Sequence, residues 1–265
     1  MINDPRKLNR AIKERNGGAA PPTKAKLHRP NRTKHFQYIT AFILCAILSA
    51  FTSVTVQATD VYRNFAELQA NEPETNYNIF ATDHATPVLI LAPHGGSIEG
   101  GTSELSRELS NDYSTYLFES LKTSNGFDLH ITSTHFDEPT ALDMTARHQR
   151  VISLHGYSDS TEHIIVGGTD PVRGQTLVNR LNAAGFSAEL VGAGHRFAGA
   201  SSANIANKCM TGESLQIELS TGLRKSMFGK FSLKGRAGTE TATFYKFTGL
   251  LSEFINENYN VGGNE

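Results

Sequence analysis

The chain has 265 residues, a formal net charge of -1 and no tryptophan. The near-neutral total hides two unlike parts: residues 1–37 hold ten Lys/Arg against Asp4 and Glu14, a net of +8, whereas residues 59–265 hold 15 Lys/Arg against 24 Asp/Glu, a net near −9. So acidic a body excludes nucleic acid as a general partner, and two cysteines, Cys45 within an apolar run and Cys209, exclude a disulfide framework.

Residues 1–37 show neither helical nor strand period and read as a basic disordered leader. Residues 38–56 carry no charge and contain the dense block Ala41-Phe42-Ile43-Leu44-Cys45-Ala46-Ile47-Leu48, followed by Val56-Gln57-Ala58. That is the n-region, h-region and small-residue cleavage site of an export signal. Cleavage after Ala58 is expected. Retention as a membrane anchor is the alternative, because about 19 apolar residues is near the minimum for one bilayer crossing. Leu44 directly before Cys45 argues against a lipoprotein site. Under both readings the basic flank stays cytoplasmic and the remaining domain, 59–265, is periplasmic or secreted, touching a membrane only through residues 38–56 if these are uncleaved.

Residues 60–86 read as a polar lead-in with little periodicity. Val88-Leu89-Ile90-Leu91-Ala92 is an unbroken apolar run, as expected of a strand buried on both faces, and it ends at Pro93-His94-Gly95-Gly96. Thr102 or Ser103 caps an expected helix whose stripe runs Leu105, Leu109, Tyr113, Tyr116, Leu117 and Leu121, closing at Asn125-Gly126. Leu129 to His135 alternates as a strand would. Val151-Ile152-Ser153-Leu154 is another apolar run, stopping at His155-Gly156. A strand at His163–Val166, a helix from Pro171 to Ala184, strands at Ala188–Val191 and Leu215–Leu219, and a helix from Phe244 to Tyr259 complete the pattern. Alternating strands and helices predict an α/β fold: a mixed, largely parallel sheet with helices on both faces.

Ligand sites in open α/β sheets gather at the carboxyl ends of strands, where His94 and His155 both fall. Catalytic zinc takes three protein ligands, often two His and one carboxylate, and keeps a fourth position open. His94, Glu99 and His155 supply that set, with Gly95, Gly96 and Ser97 making the loop that folds the carboxylate back. A structural turn would read much the same in isolation. Glu218 interrupts an apolar strand, where an unpaired carboxylate is costly, and so demands a cation, a hydrogen-bond network or an open cleft; a half-exposed strand residue is the alternative. Arg150 and Arg224 are the arginines nearest in sequence to these strand ends, as candidates for the oxyanion or for a substrate carboxylate. His135 and Asp137 are candidates for a supporting pair behind the site or for lining the cleft where substrate binds, and Asn204 for binding substrate, with a turn as its alternative role.

Five segments carry a resemblance: Ala92 to Glu104, Ile131 to Asp137, Ser153 to Gly156, Asn204-Ile205 and Gln216 to Arg224. In this order they closely resemble the poly-γ-glutamate hydrolase family of bacilli and their phages. The resemblance implies a compact zinc carboxypeptidase-like fold and one zinc ion per chain on His94, Glu99 and His155, with Glu218 as the acid/base residue. The implied substrate is a polyanionic γ-glutamyl polymer or peptide. Larger carboxypeptidases space their first His and Glu two residues apart, and the longer gap here departs from them. Two other readings stay open: a γ-glutamyl hydrolase acting on peptidoglycan stem peptides, and a non-catalytic surface-binding domain on the same fold.

Overall fold

The computed structural model describes residues 60–259, all within one unit, Ala58–Glu265. The basic leader and the apolar segment 38–58 lie outside the described residues; among residues 60–259 no helix is long and apolar enough to cross a membrane. In chain order the elements are α1 (Phe65–Asn71), β1 (Tyr77–Thr82), β2 (Val88–Gly96), α2 (Thr102–Leu109), β3 (Ser114–Ser120), α3 (Pro139–Arg147), β4 (Arg150–Tyr157), β5 (Ile164–Gly168), α4 (Pro171–Ala183), β6 (Ala188–Leu190), β7 (Glu213–Ser220), α5 (Thr221–Ser226) and α6 (Ala242–Asn258).

The strands form a seven-stranded sheet in the order β1-β3-β2-β4-β7-β5-β6. β3, β2, β4 and β7 run parallel, while β1 pairs antiparallel to β3 and β5 antiparallel to β7. The sheet is therefore mixed and largely parallel, as expected. From β2 the chain crosses to β3 on one side and then to β4 on the other, so the crevice where α/β sheets hold ligands opens at the carboxyl ends of β2 and β4.

Two apolar layers clamp the sheet. Val88, Ile90, Ile152, Leu154, Ile217 and Leu219 meet Leu105 and Leu109 of α2, Leu177 and Leu181 of α4, and Phe247, Leu251 and Phe254 of α6. On the other face Leu89, Leu91, Val151, Tyr116 and Phe118 meet α1, the segment Leu129–Phe136 and α3. With both faces covered, every residue of β2 and β3 is buried, which is why Val88–Ala92 of β2 reads as a continuous apolar run rather than an alternating one.

Three expected elements differ. The helix begun at Thr102 ends at Leu109, and Ser114–Ser120 is strand β3. Tyr113, Tyr116 and Leu117 recur at helical spacing, but Ser110-Asn111-Asp112 breaks the helix, and a segment wedged between β1 and β2 is buried on all sides. The strand expected at Leu129–His135 is instead a 3-10 turn, Gly126–Leu129, followed by irregular chain. Its backbone groups bond elsewhere: Ile131 O accepts from His94 and Thr132 N donates to Asp60, which leaves no ladder to make. The polar lead-in contains β1, an edge strand whose half-exposed pattern hides it.

Ile217 is fully buried in β7 between the residues that carry Gln216 and Glu218. Ile217→Ala should cost about 2–5 kcal/mol of stability, read as a lower midpoint in urea unfolding with unchanged slope.

Candidate metal centre

His155 lies six residues into β4, and its strand-pairing partner on β7 is Glu218, so both side chains rise from the same face. Strand alternation would aim His94 at the opposite face, together with Ile90. It does not, because the β2–β3 register shifts between Ala92 and Gly95: Ala92 faces Leu117 while Gly95 faces Glu119, three steps on β2 against two on β3. The extra residue reverses the alternation and turns His94 onto the face of His155 and Glu218. Gly96 makes the exit possible, at φ 68° with its Cα against the Ser120 backbone, where a Cβ would collide with the Ser120 carbonyl oxygen.

The His94 Nε2 lies 2.8 Å from the Ile131 carbonyl oxygen. A carbonyl only accepts, so Nε2 carries a hydrogen and Nδ1 is the nitrogen that faces inward, the one available to a metal. That Nδ1 is 3.1 Å from Glu99 Oε1 and 3.2 Å from His155 Nδ1, and His155 Nδ1 is 3.6 Å from Glu99 Oε2. All three residues are buried. A tetrahedral zinc with bonds of about 2.0–2.2 Å would set its ligands roughly 3.3–3.5 Å apart. Two imidazoles and one carboxylate at these separations fit zinc, with a fourth position left for water.

Glu99 is fixed by a hydrogen bond from Gly156 N to its Oε2, 2.8 Å. Gly156 has no room for a Cβ because the Arg224 guanidinium packs against it. Burial alone would raise the Glu99 carboxyl pKa, but the charge of His94 and hydrogen bonds from both histidines outweigh it and hold the group well below the usual carboxylate range. Glu218 behaves oppositely. Burial is the largest influence and, with the neighbouring Glu99 charge, drives its pKa up against the opposing pull of His155. Burial lowers the His155 pKa, yet Glu99 and Glu218 outweigh it and the net shift is upward. Two carboxylates in one pocket are thus pushed apart, one toward the ionised form and one toward the protonated form.

The candidates from sequence separate clearly. His94, Glu99, His155 and Glu218 converge. Arg150 opens β4, five residues before His155 and so about 16 Å away along the strand, where it pairs with Glu213 through Nε at 2.8 Å. Arg224 is buried beside the site, but its donors are engaged: Nε to Leu219 O, Nη1 to Gly100 O, and Nη2 to Tyr157 O and Thr221 Oγ1. Its bonds brace the Gly96–Gly100 loop against the ends of β4 and β7. His135 is exposed, and Asp137 accepts from Phe65 N at the start of α1. Asn204 is buried and donates to Gln216 Oε1 at 3.0 Å, while Gln216 Nε2 donates to Glu218 Oε1 at 3.0 Å. It therefore aims Glu218 from one residue away.

A family model described as poly-gamma-glutamate hydrolase matches residues 62–250. The chain belongs to the poly-gamma-glutamate hydrolase family. It is 54% identical over 217 residues to the UPF0714 protein YndL of Bacillus subtilis (strain 168), covering 82% of this chain and 86% of that protein. The SPbeta prophage-derived UPF0714 protein YoqZ of the same organism is 50% identical over 231 residues, covering 85% of this chain and 84% of the relative. Among solved structures, zinc-free YndL superposes with a TM-score of 0.75 at 56% identity over 76% of this chain and 100% of that one. A bacteriophage poly-gamma-glutamate hydrolase superposes with a TM-score of 0.72 at 34% identity, over 76% of this chain and 99% of the phage chain. Family membership makes the chain a hydrolase.

Three further residues of this hydrolase surround the centre without having been legible beforehand. Arg236 is buried and donates to Gly96 O at 2.7 Å and Glu104 Oε1 at 2.9 Å, so with Arg224 it grips the Gly96–Gly100 loop from both ends. His130 lies against His94, ring centroids 4.1 Å apart; burial is the main reason its pKa falls to about 4 and the ring stays neutral. Arg196 is exposed, with its guanidinium 4.3 Å from the centroid of Phe197. Phe197 in turn packs on Tyr157, at 5.1 Å, and accepts from Gln216.

In the metal-free protein the raised Glu218 pKa means that the folded state binds a proton the unfolded chain releases. Its contribution is fully present below the ordinary glutamate pKa and is lost as pH rises through the raised value. Metal-free Glu218→Gln should therefore gain in Tm over the metal-free parent as pH climbs from 4 to 8, measured by calorimetry across that range.

Proposed function

We propose that this hydrolase is zinc-dependent and cleaves γ-glutamyl amide bonds, with poly-γ-glutamate as substrate. The observation that carries the reading is the cluster of His94 Nδ1, His155 Nδ1 and a Glu99 oxygen within bonding distance of one ion, beside a buried carboxylate of opposite protonation tendency. Support for the substrate comes from the family, whose model matches residues 62–250, and from the phage hydrolase, 34% identical over 76% of this chain.

When bound, zinc supplies Lewis acidity that acidifies water to a pKa of about 7 and polarises the scissile carbonyl. The chain's own residues do the rest. Ile131 O keeps hydrogen off the His94 Nδ1, Gly156 N fixes Glu99, and both arginines keep the loop between them in place. Glu218 binds Gln216 through Oε1, leaving Oε2 to take the proton of the attacking water and pass it to the departing amine. A carboxylate lifted by burial suits both halves of that transfer.

A polyanion must approach an acidic body, so recognition needs a cation open to the strand ends. Arg224 and Arg236 are engaged with backbone carbonyls and Arg150 stands at the wrong end. Arg196, pre-positioned by Phe197, is exposed and makes no ion pair among the described residues; it takes a substrate carboxylate. Residues 1–58 fit export, which would place the catalytic unit outside the cytoplasm, where such polymers lie.

Glu218→Gln should retain one zinc per chain by elemental analysis while losing about 10²–10⁴-fold in kcat on poly-γ-glutamate. Zinc-loaded parent that leaves this polymer intact but cleaves γ-glutamyl stem peptides would move the substrate, and no zinc with no turnover would overturn the enzyme reading. Arg196→Ala should raise KM for the polymer severalfold with kcat nearly unchanged, an effect that shrinks as salt is added.

A further inference from the structure

We propose that Asp60 and His130 are positioning residues for His94, and that they set the zinc affinity of the centre without touching the ion. The inference rests on the metal reading of the cluster and extends it outward by one layer of contacts.

Asp60 lies 70 and 72 residues from its two partners, yet its carboxylate holds both. Oδ1 is 2.6 Å from His130 Nδ1, and Oδ2 accepts from Thr132 N at 2.6 Å. The residue between those two points is Ile131, whose carbonyl oxygen takes the His94 Nε2 hydrogen at 2.8 Å. Asp60 thus pins the segment on either side of the one carbonyl that decides which His94 nitrogen keeps its lone pair. The Ile131 side chain is fully buried, so the segment cannot slide to compensate.

His130 contributes a second restraint. One contact of its ring is with Phe127, stacked at 4.7 Å and 10°, and another is with His94, at 4.1 Å and 34°. His94 is thereby held by a hydrogen bond at its edge and by a ring over its face. Both act on ring orientation, and an imidazole turned away from its bonding direction gives up much of its metal bond. No sheet ladder fixes residues 130–132; their backbone bonds are local, His130 N to Phe127 O and His135 N and Phe136 N to Thr132 O, and none of them holds the Thr132 N–H or the His130 ring that Asp60 takes. Asp60 has little solvent access, its side chain being 11% exposed, so water is a poor substitute for it.

The test uses the full-length chain and compares the parent with Asp60→Ala, Asp60→Asn and His130→Phe. Zinc dissociation constants come from competition with a chromophoric chelator, and melting temperatures from metal-free and zinc-loaded samples. Asp60→Ala should weaken zinc binding about 10–100-fold, and the rise in Tm on adding zinc should shrink accordingly. Asp60→Asn, which can accept only one of the two hydrogen bonds, should fall between parent and Ala and remain folded if the alanine variant does not. His130→Phe keeps the stacked ring and removes the Asp60 bond, so it should lose less affinity than Asp60→Ala. Variants that lower the metal-free Tm while binding zinc as tightly as the parent would show a purely structural role and overturn this inference alone. A parent that binds no zinc would overturn it together with the metal reading.

Discussion

Two imidazole nitrogens and the Glu99 carboxylate are held 3.1–3.6 Å from one another in a buried pocket. Such an arrangement repels itself unless a cation or shared protons sit among the donors, and burial removes the water that would otherwise screen it. The rest of the structure supplies the restraint. Parallel pairing of β4 with β7 sets His155 against Glu218, the bulge in β2 delivers His94, and two buried arginines grip the loop that returns Glu99. Packing on both faces of the sheet gives these strands the rigidity to keep like partners close.

The division of labour between Glu99 and Glu218 follows from what surrounds each rather than from their chemistry, which is the same. Glu99 has two histidines and a backbone N–H, so ionisation is favoured even though it is buried. Glu218 is buried with only one amide, from Gln216, to favour its anion, and burial together with the neighbouring Glu99 charge outweighs that bond and the pull of His155, so protonation is favoured. One pocket thus keeps one carboxylate an anion and the other close to protonation, by distributing its hydrogen-bond donors and its burial unequally.

Arginine usage shows the same economy of position. Three of the guanidiniums near or on the sheet, Arg150, Arg224 and Arg236, are structural: one closes an ion pair at the amino end of β4, and two satisfy carbonyls of irregular backbone. Buried loops need such donors because their carbonyls have no ladder partner. An arginine close in sequence to a site residue is thus as apt to hold the site together as to face substrate, and its exposure separates the two roles.

Much of this protein was legible from its residues alone. Unbroken apolar runs at Val88–Ala92, Val151–Leu154 and Leu215–Leu219 mark strands buried on both faces, because such strands need no polar alternation. The donor types of His94, Glu99, His155 and Glu218, at strand ends and in the loop after β2, mark a candidate metal centre, and the structure brings these four groups together. What only the tertiary structure decided depends on register and on partners distant in sequence. The helical stripe through Tyr113 and Tyr116 became a strand because β1 and β2 enclose it. Residues 129–135 gave up a ladder to serve His94 and Asp60. Asn204 came to steer Glu218 through Gln216. Local pattern records what a residue must avoid, chiefly water or an unpaired charge. Which group satisfies it is set by the tertiary structure, often through contacts distant in the chain, as between His94 and His155, 61 positions apart, and between Asp60 and His130, 70 apart.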